Sequence, residues 1–268
     1  MTILILGGAG RTGARIHHRL TTRGVPTRLA SRRTGFDWHH PETWPAALEG
    51  MSAAYVCFSP DLALPGVPGK MEAFGRLAAR SGLERLVLLS GRGEEGARAS
   101  ETALRAGGVP TTVLRCSWFQ QNFSEHFLTG PVRRGSLRLP APDVPEAFVD
   151  LDDVADAAVR ALTRTVPRDA VYELSGPELL TFTDVVAVLS GVCGRGIAFE
   201  PVDVPTFVAD LAVDGIPRED AEPLAYLFTE ILDGRNASLG DGIEQLLGRR
   251  ASPFSSYARV AAETGVWA

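Results

Sequence analysis

Short aliphatic runs alternate with longer amphipathic stretches through the first half of the chain. Thr2–Leu6 reads TILIL, a continuous apolar run of the kind that is buried on both faces of a parallel sheet. Further runs predict strands at Thr27–Ser31, Ala53–Phe58, Arg85–Ser90 and Thr111–Cys116. Apolar residues at helical spacing predict helices at Arg11–Arg23, Pro41–Leu48, Lys70–Ser81 and Ser100–Ala106. Because parallel neighbours need a crossover that covers a face, this alternation predicts an α/β fold with a doubly wound parallel sheet.

The regularity fades after about residue 122. Gly130–Glu146 is rich in Pro, Gly and Arg, which predicts a loop or an irregular strand. Phe148–Leu162 predicts an amphipathic helix with Asp152 or Asp153 as its N-cap and as the partner of the helix dipole. The pattern then predicts a strand, a helix, a strand and a mostly helical lobe at Val171–Leu174, Thr183–Val192, Ile197–Pro201 and Val204–Leu247. We expect one integrated unit in which residues 1–150 form the first part and residues 151–268 complete the sheet and add the lobe.

A glycine-rich turn joins the first predicted strand to the first predicted helix. It reads Gly7-Gly8-Ala9-Gly10-Arg11-Thr12-Gly13, with G-x-x-G-x-x-G spacing. A diphosphate that rests on a helix N-terminus needs free N–H groups and no Cβ atoms in its path. The segment therefore predicts a dinucleotide-binding loop, with contacts from Gly7, Gly10, Arg11, Thr12 and Gly13. A tight turn with a purely structural role is the alternative.

The residues after the second predicted strand bear on the choice of cofactor. Sites that prefer NAD carry an Asp or Glu here for the ribose 2′-hydroxyl, whereas this chain has Ser31-Arg32-Arg33. A guanidinium group binds a 2′-phosphate in a bidentate manner. The run therefore predicts NADP(H) as the cofactor. The alternative is that both arginines are solvated loop residues of an arginine-rich chain.

The charge balance and the cysteines argue against several classes of protein. The 27 basic and 32 acidic residues give a net charge of −5, so no broad electropositive face for nucleic acid is expected. The three cysteines have no C-x-x-C spacing, so neither a disulfide framework nor a metal site is expected. No signal-like segment or long apolar stretch occurs, and we expect a cytoplasmic protein without a membrane partner. A homodimer is the one assembly we consider, on the general frequency of such dimers.

Several segments together resemble one family. They are GGAGRTG, LASRR, FDWHHPETW (Phe36–Trp44), LRCSWFQQNFSE (Leu114–Glu125), FVDLDDVADAAVRAL (Phe148–Leu162) and YELSGPELLTF (Tyr172–Phe182). This set covers most of the chain and is similar to the NmrA-like group of atypical short-chain dehydrogenases. DGRNA (Asp233–Ala237) resembles relatives similar to the iminium reductases of ergot-type alkaloid pathways.

The resemblance implies a fold, a cofactor and a division of function. It implies a Rossmann fold, an NADP(H) site at Gly7–Gly13 and Ser31–Arg33, and a small-molecule substrate cleft under the C-terminal lobe. Some members of the group reduce quinones or imines, and others only sense the dinucleotide. The resemblance therefore leaves both an enzyme and a regulatory protein open.

The chain lacks the catalytic pair of most short-chain dehydrogenases, a tyrosine that donates a proton and a lysine four residues later. None of its tyrosines is followed by lysine at that spacing. Aligning the helix around Glu101 with the superfamily pattern puts Gly93 at the tyrosine position and Ala97 at the lysine position. Hydride addition to a plain ketone creates a strongly basic alkoxide, whereas a quinone gives a phenolate with a pKa near 10. An enone gives a stabilised enolate and an iminium gives a neutral amine, so these acceptors are favoured.

Candidate ligand-binding groups follow the predicted strands, since ligands bind at the carboxyl ends of parallel strands. We expect Phe58, Ser59 and Cys116 near the cofactor, although a strand cysteine is more often buried and inert. Ser90 is expected near both the cofactor and a substrate oxygen, as a catalytic hydrogen-bonding group. Such a serine is also a frequent structural cap.

Two aromatic residues and three polar residues complete the candidate site. Trp118 and Phe119 would stack on a flat substrate beside Asn122, unless one of the two aromatic rings belongs to the core. His126 is the histidine that we consider as a catalytic proton donor. Asp37 would accept a hydrogen bond from the adenine amine or shape a turn.

The sequence therefore predicts an NADPH-dependent reductase of a small conjugated, quinone- or iminium-type substrate, of the kind found in secondary metabolism. One alternative is a regulatory protein that senses NADP(H), binds a protein partner and has no turnover. The other is an isomerase or cyclase on the same fold that retains its cofactor.

Overall fold

The structure, a computed structural model, describes residues 1–164, 166–167 and 169–268, with the side chain of Asp220 left out. Its helices in this part of the chain are α1 Arg11–Thr22, α2 Trp44–Leu48, α3 Val67–Arg80, α4 Glu95–Arg105, α5 Asn122–Glu125, α6 Thr129–Arg134, α7 Leu151–Thr163, α8 Phe182–Cys193, α9 Val204–Val213, α10 Arg218–Tyr226, α11 Gly242–Leu247 and α12 Phe254–Glu263. Its strands are β1 Ile3–Leu6, β2 Thr27–Ala30, β3 Ala53–Val56, β4 Arg85–Gly91, β5 Thr111–Cys116, β6 Ser136–Leu139, β7 Val171–Leu174 and β8 Ala198–Pro201. Single 3₁₀ turns at Arg32–Thr34 and Pro41–Thr43 and a π turn at Leu227–Ile231 complete the set.

These elements form two compact units that alternate along the chain. The first unit consists of Met1–Cys116, Leu151–Leu174 and Asp241–Arg249. The second consists of Ser117–Asp150, Ser175–Gly240 and Arg250–Ala268. The division near residue 150 that the sequence suggests stays a prediction about domains.

The first unit is built on a six-stranded sheet with the order β2-β1-β3-β4-β5-β7. All its strands are parallel, and β1 pairs with both β2 (Ile3 opposite Thr27) and β3 (Ile3 opposite Ala53). This confirms the doubly wound parallel sheet. The chain moves outward in opposite directions from β1 and β3, so a crevice for ligands opens at the carboxyl ends of these two strands.

Helices cover both faces of this sheet. Apolar residues of β1, β3 and β4 pack with α3 and α4 on one face, around the fully buried Phe74. On α7, Asp152 and Asp156 form ion pairs with Arg19 of α1, each at 2.7 Å.

Helix α7 begins at Leu151, so the expectation that Asp152 or Asp153 is its N-cap is wrong. Both aspartates lie in its first turn, where they complement the helix dipole.

The second unit holds an aromatic core and a small sheet. Phe123, Phe148, Phe182 and Phe254 contact one another with ring centroids 5.4 to 6.4 Å apart. Its sheet pairs β6 with β8 in parallel. The expectation of a loop or irregular strand over residues 130–146 is therefore wrong in part, because this stretch contains most of α6 and a regular strand, β6. The alternation of buried and half-buried residues in SLRL is the signal that would have found the strand.

The long helical region predicted over residues 204–247 is interrupted. α9, α10 and α11 lie within it, but residues 232–241 are not helical. Asp203 caps α9 by accepting a hydrogen bond from the Thr206 N–H at 2.9 Å. Thr181 caps α8 in the same way, as one half of a capping box with Asp184.

Candidate functional site

The glycine turn between β1 and α1 leaves the start of the helix without a cap. Gly7 has a φ of +70°, and its carbonyl oxygen accepts a hydrogen bond from the Gly10 N–H at 2.8 Å. A Cβ atom on Gly13 would overlap the same carbonyl oxygen, so Gly13 is required by the turn itself. The N-cap residue is Gly10, so in the described structure the first turn of α1 has no side-chain cap from this position, and that turn contains no acidic residue. Its N–H groups and positive dipole end therefore fit a diphosphate.

The loop after β3 lies directly beside this turn. The Cys57 Cβ is 3.5 Å from the position that a Cβ on Gly7 would take. The ring of Phe58 is 7% exposed and lies 5.2 Å from that of Trp38, so its side chain belongs to the aromatic core. Ser59 follows it and is exposed. Of the two residues predicted here, only Ser59 presents its side chain to solvent.

Cys116, the cysteine predicted to lie near the cofactor, is unreactive. Cys116 is buried at the end of β5. Burial raises the pKa of the Cys116 thiol far above its usual value, and it raises the pKa of the Cys57 thiol to about 11. Both thiols are therefore protonated at neutral pH and are poor nucleophiles.

The segment after β2 presents two free cations. Arg32 and Arg33 are exposed in the 3₁₀ turn that Ser31 opens. Among the described residues, neither guanidinium group has a hydrogen bond or an ion pair. Ser31 donates its backbone N–H to the Thr34 hydroxyl at 2.8 Å, which holds the turn. The arrangement leaves both arginines able to bind a phosphate.

Asp37 shapes the loop that follows. Its carboxylate accepts a hydrogen bond from the His39 N–H at 2.8 Å. That bond, with smaller contributions from nearby cationic groups that include Arg32, lowers the pKa of the Asp37 carboxyl. The structure thus shows the turn role, and contact with adenine stays a prediction.

Ser90 is part of a buried ionic network. It is 5% exposed at the end of β4, and its hydroxyl donates to a carboxylate oxygen of Glu101 at 2.6 Å. The guanidinium of Arg115 binds the same carboxylate at 2.6 and 2.9 Å. Because the Ser90 proton is committed to Glu101, the structural role of Ser90 is the one that these contacts support. A contact of its oxygen with a ligand stays a prediction.

The other predicted residues lie close together in the second unit. The Trp118 ring is 4.7 Å from the Phe228 ring, so Trp118 is the aromatic that packs on the core. Phe119 is half-buried and its backbone forms an isolated parallel β-bridge with Val149. Asn122 is the first residue of α5. His126 is exposed just after α5. Their contacts with a substrate stay predictions.

Glu94, which lies between β4 and α4, is a titratable residue that the sequence pattern did not single out. It precedes α4, which begins at Glu95 and not at Ser100 as predicted. Burial, and to a lesser degree the neighbouring Asp61 carboxylate, raises the pKa of Glu94 to about 7. Two adjacent glutamates after a strand end would have been the sequence signal.

Full-length relatives identify the family of the chain. Agroclavine dehydrogenase of Claviceps fusiformis is 31% identical to it, over 100% of this chain and 99% of the relative. The chain belongs to the NmrA-like group of atypical short-chain dehydrogenases. Another relative, (4-alkanoyl-5-oxo-2,5-dihydrofuran-3-yl)methyl phosphate reductase of Streptomyces griseus, is also 31% identical, over 97% of this chain and 98% of the relative. No family model matches the chain.

A solved structure shows the same NmrA-like fold. Triphenylmethane reductase of Citrobacter, complexed with NADP(H), superposes with a TM-score of 0.80 at 20% identity. The match covers 97% of this chain and 100% of that one. The full-length relatives are named as dehydrogenases and reductases, which identifies the protein as an oxidoreductase.

Gly93 and Ala97, the predicted positions of the dyad, follow β4 in the first unit. Gly93 has a φ of +77°, and Ala97 is buried in α4. Their correspondence to the tyrosine and the lysine stays a prediction. In the described part of the chain, no cluster of three or more His, Cys, Asp or Glu side chains could hold a metal ion. No helix described there is long and apolar enough to cross a membrane.

Proposed function

We propose that the protein is an NADPH-dependent reductase of a small conjugated molecule of the quinone, enone or iminium type. One observation carries the proposal. A helix start after a glycine turn lies in the same unit as two arginines after the next strand, and within the described part of the chain the helix start has no side-chain cap and the arginines have no ion pair. The first fits a diphosphate, and the second fits the 2′-phosphate that distinguishes NADPH from NADH.

The residues that would hold the cofactor follow from this geometry. The N–H groups of Arg11, Thr12 and Gly13 in the first turn of α1 would bind the diphosphate, beside Gly7 and Gly10. Ser31, Arg32 and Arg33 would bind the 2′-phosphate, and Ser59 and the backbone at Phe58 would line the next part of the crevice. When bound, the cofactor supplies a hydride. The NADP(H) complex of the Citrobacter reductase supports this assignment.

The missing dyad supports the substrate class. Gly93 and Ala97 carry no acid, so an acceptor whose reduced form is weakly basic suits this chain better than a plain ketone. The reductase of Streptomyces griseus is named for an unsaturated lactone that carries an acyl group, and the Claviceps relative for agroclavine. We propose that Phe119, Asn122 and His126, with Trp118 beside them, contribute the substrate side.

The cofactor assignment is tested by binding measurements. Arg32→Ala and Arg33→Ala should each weaken NADPH binding about five- to thirtyfold, because each removes a charge-assisted contact worth about 1–2 kcal/mol. NADH binding should not change, since NADH lacks the 2′-phosphate. Titration calorimetry with both dinucleotides measures the two effects. Arg23→Ala is a matched control, because Arg23 is also exposed and has no ion pair among the described residues.

Two results would contradict the proposal. Equal affinity of the wild-type protein for NADPH and NADH would show that the arginine pair does not select the cofactor. Tight NADPH binding without oxidation by any quinone, enone or iminium would instead favour the regulatory alternative.

A further inference from the structure

Glu94 stands at the carboxyl edge of the sheet, in the loop between β4 and α4. Its carboxyl group packs on the backbone of Gly91, where a Cβ atom would overlap a carboxylate oxygen. It directly follows Gly93, the residue that our alignment of the helix around Glu101 predicts at the position of the superfamily's proton-donating tyrosine. Arg92 and Glu94 flank Gly93, and of these two charged residues Glu94 is the acid.

The start of α4 is held against the loop that follows β3. A Cβ atom on Gly96 would overlap the Ala63 carbonyl oxygen, so the two backbones touch. The Ser100 hydroxyl donates to the Leu62 carbonyl oxygen at 2.8 Å. The loop thereby brings Asp61 close enough to Glu94 for the two carboxyl groups to repel each other.

The surroundings of the Glu94 carboxyl group, as far as the structure describes them, disfavour its charged form. Over residues 1–164, 166–167 and 169–268, no hydrogen-bond donor or cation pairs with it. The guanidinium of Arg92 instead forms an ion pair with Glu173, with 3.0 Å between its nitrogen and a carboxylate oxygen. Glu95 and Arg98, its neighbours on α4, are exposed to solvent. A partly buried carboxyl beside a second carboxylate favours its neutral form, which carries a proton.

We propose that Glu94 is the proton donor of the reaction, in place of the missing tyrosine. The inference rests on the proposed function, and it narrows the substrate to a neutral α,β-unsaturated carbonyl compound. Such an acceptor needs a proton as well as a hydride, whereas an iminium needs only the hydride.

The step balances as follows for an enone. The hydride from the reduced dinucleotide forms a C–H bond at the β-carbon. The π electrons of the C=C bond form a new double bond between the α-carbon and the carbonyl carbon, and the π electrons of the C=O bond move to the oxygen. The O–H bond of Glu94 breaks and its proton passes to that oxygen. The Glu94 carboxylate then regains a proton from water. The acceptor is reduced by two electrons, and NADPH is oxidised to NADP⁺.

The protonation of Glu94 is testable without turnover. A carboxyl with a pKa of about 7 in the folded protein and an ordinary value near 4.5 in the unfolded chain stabilises the fold below pH 4.5, and this contribution is lost as the pH rises to 7. Glu94→Gln mimics the neutral form and lacks this loss. The melting temperature of Glu94→Gln minus that of the wild type should therefore increase from pH 5 to pH 8. Glu95→Gln, the exposed neighbour, should show no such trend.

The donor role is tested with two hydride acceptors. One is a 3-acyl-2(5H)-furanone, which needs a proton, and the other is N-methyl-3,4-dihydroisoquinolinium, which needs none. Glu94→Gln should lower kcat/KM for the furanone about 100-fold and leave the iminium reaction unchanged. In the wild type, the furanone rate should fall above pH 7. Asp61→Asn should move that fall to lower pH, because it removes the repelling charge.

The outcomes separate the two claims. If Glu94→Gln changes both reactions equally or neither, or if its stability follows wild type at every pH, Glu94 is not the donor while the reductase assignment stands. If neither acceptor nor any other oxidises NADPH, the proposed function fails and the donor role fails with it. Loss of the furanone reaction alone, with the stability trend, supports both.

Discussion

At the scale of residues, the Glu101 carboxylate shows how a polar group is accommodated inside the first unit. Glu101 is 1% exposed and would be costly to bury alone. Arg115 binds it with two nitrogens, and Ser90 donates a third hydrogen bond. Every group in this contact therefore depends on the others, and removing one leaves a buried charge less well paired.

Ser90→Ala is expected to destabilise the protein. It removes a hydrogen bond to a buried charged group, which costs about 1.5–3 kcal/mol of the free energy of unfolding. Ser100→Ala is the matched control, because Ser100 is also buried but donates to the neutral Leu62 carbonyl, a bond worth about 1 kcal/mol. Urea unfolding measures both changes.

The kinetics of the same variant distinguish the two roles of Ser90. A structural serine leaves kcat/KM of the folded enzyme nearly unchanged. A loss of 100-fold or more with unaltered stability would show instead that Ser90 contacts the substrate.

At the scale of elements, the hydrophobic runs located the central strands within one or two residues, because buried parallel strands are continuously apolar. The start of α4 was placed five residues late. Two of the four residues in its first turn are charged, and the contact between Gly96 and Ala63 that packs this turn on a neighbouring loop exists only in the folded protein. Polar first turns lack the periodic signal on which a sequence-based prediction depends.

Gly13→Ala tests the connection between β1 and α1. The added methyl group would overlap the Gly7 carbonyl oxygen, so the turn must open, at a cost of about 1–3 kcal/mol. NADPH binding should weaken at least tenfold, since the first-turn N–H groups would shift. Gly69→Ala in α3 is the control, because nothing lies within 4 Å of its added Cβ. Calorimetric titration and thermal melts measure both variants. Unchanged binding by Gly13→Ala would show that the diphosphate is held elsewhere.

At the scale of the whole molecule, the first unit is not a continuous stretch of chain. Its sheet is completed by β7, which pairs with β5, and one face is covered by α7. Both elements follow residue 150, as does α11. A strand edge and a helix-covered face of this unit therefore depend on distant sequence.

A fragment of residues 1–150 is expected not to fold. It would expose the apolar edge of β5 and the sheet face under α7, and the ion pairs of Arg19 with Asp152 and Asp156 would be lost. Circular dichroism of the fragment at 222 nm should show less helix than residues 1–150 contain in the structure. NADPH binding to the fragment should be absent. A folded fragment that binds NADPH would establish residues 1–150 as an independent domain.

The sequence by itself determined the parallel sheet, the glycine turn and the arginine pair after β2. Each of these is encoded by neighbouring residues, whose local geometry follows from apolar runs, missing Cβ atoms and charge. Only the tertiary structure decided that the Ser90 proton goes to Glu101, that Phe58 belongs to the core, and that Glu94 lies beside Asp61. These facts depend on packing between segments far apart in the chain, and burial and pairing, which set the pKa and the availability of a polar group, exist only after that packing.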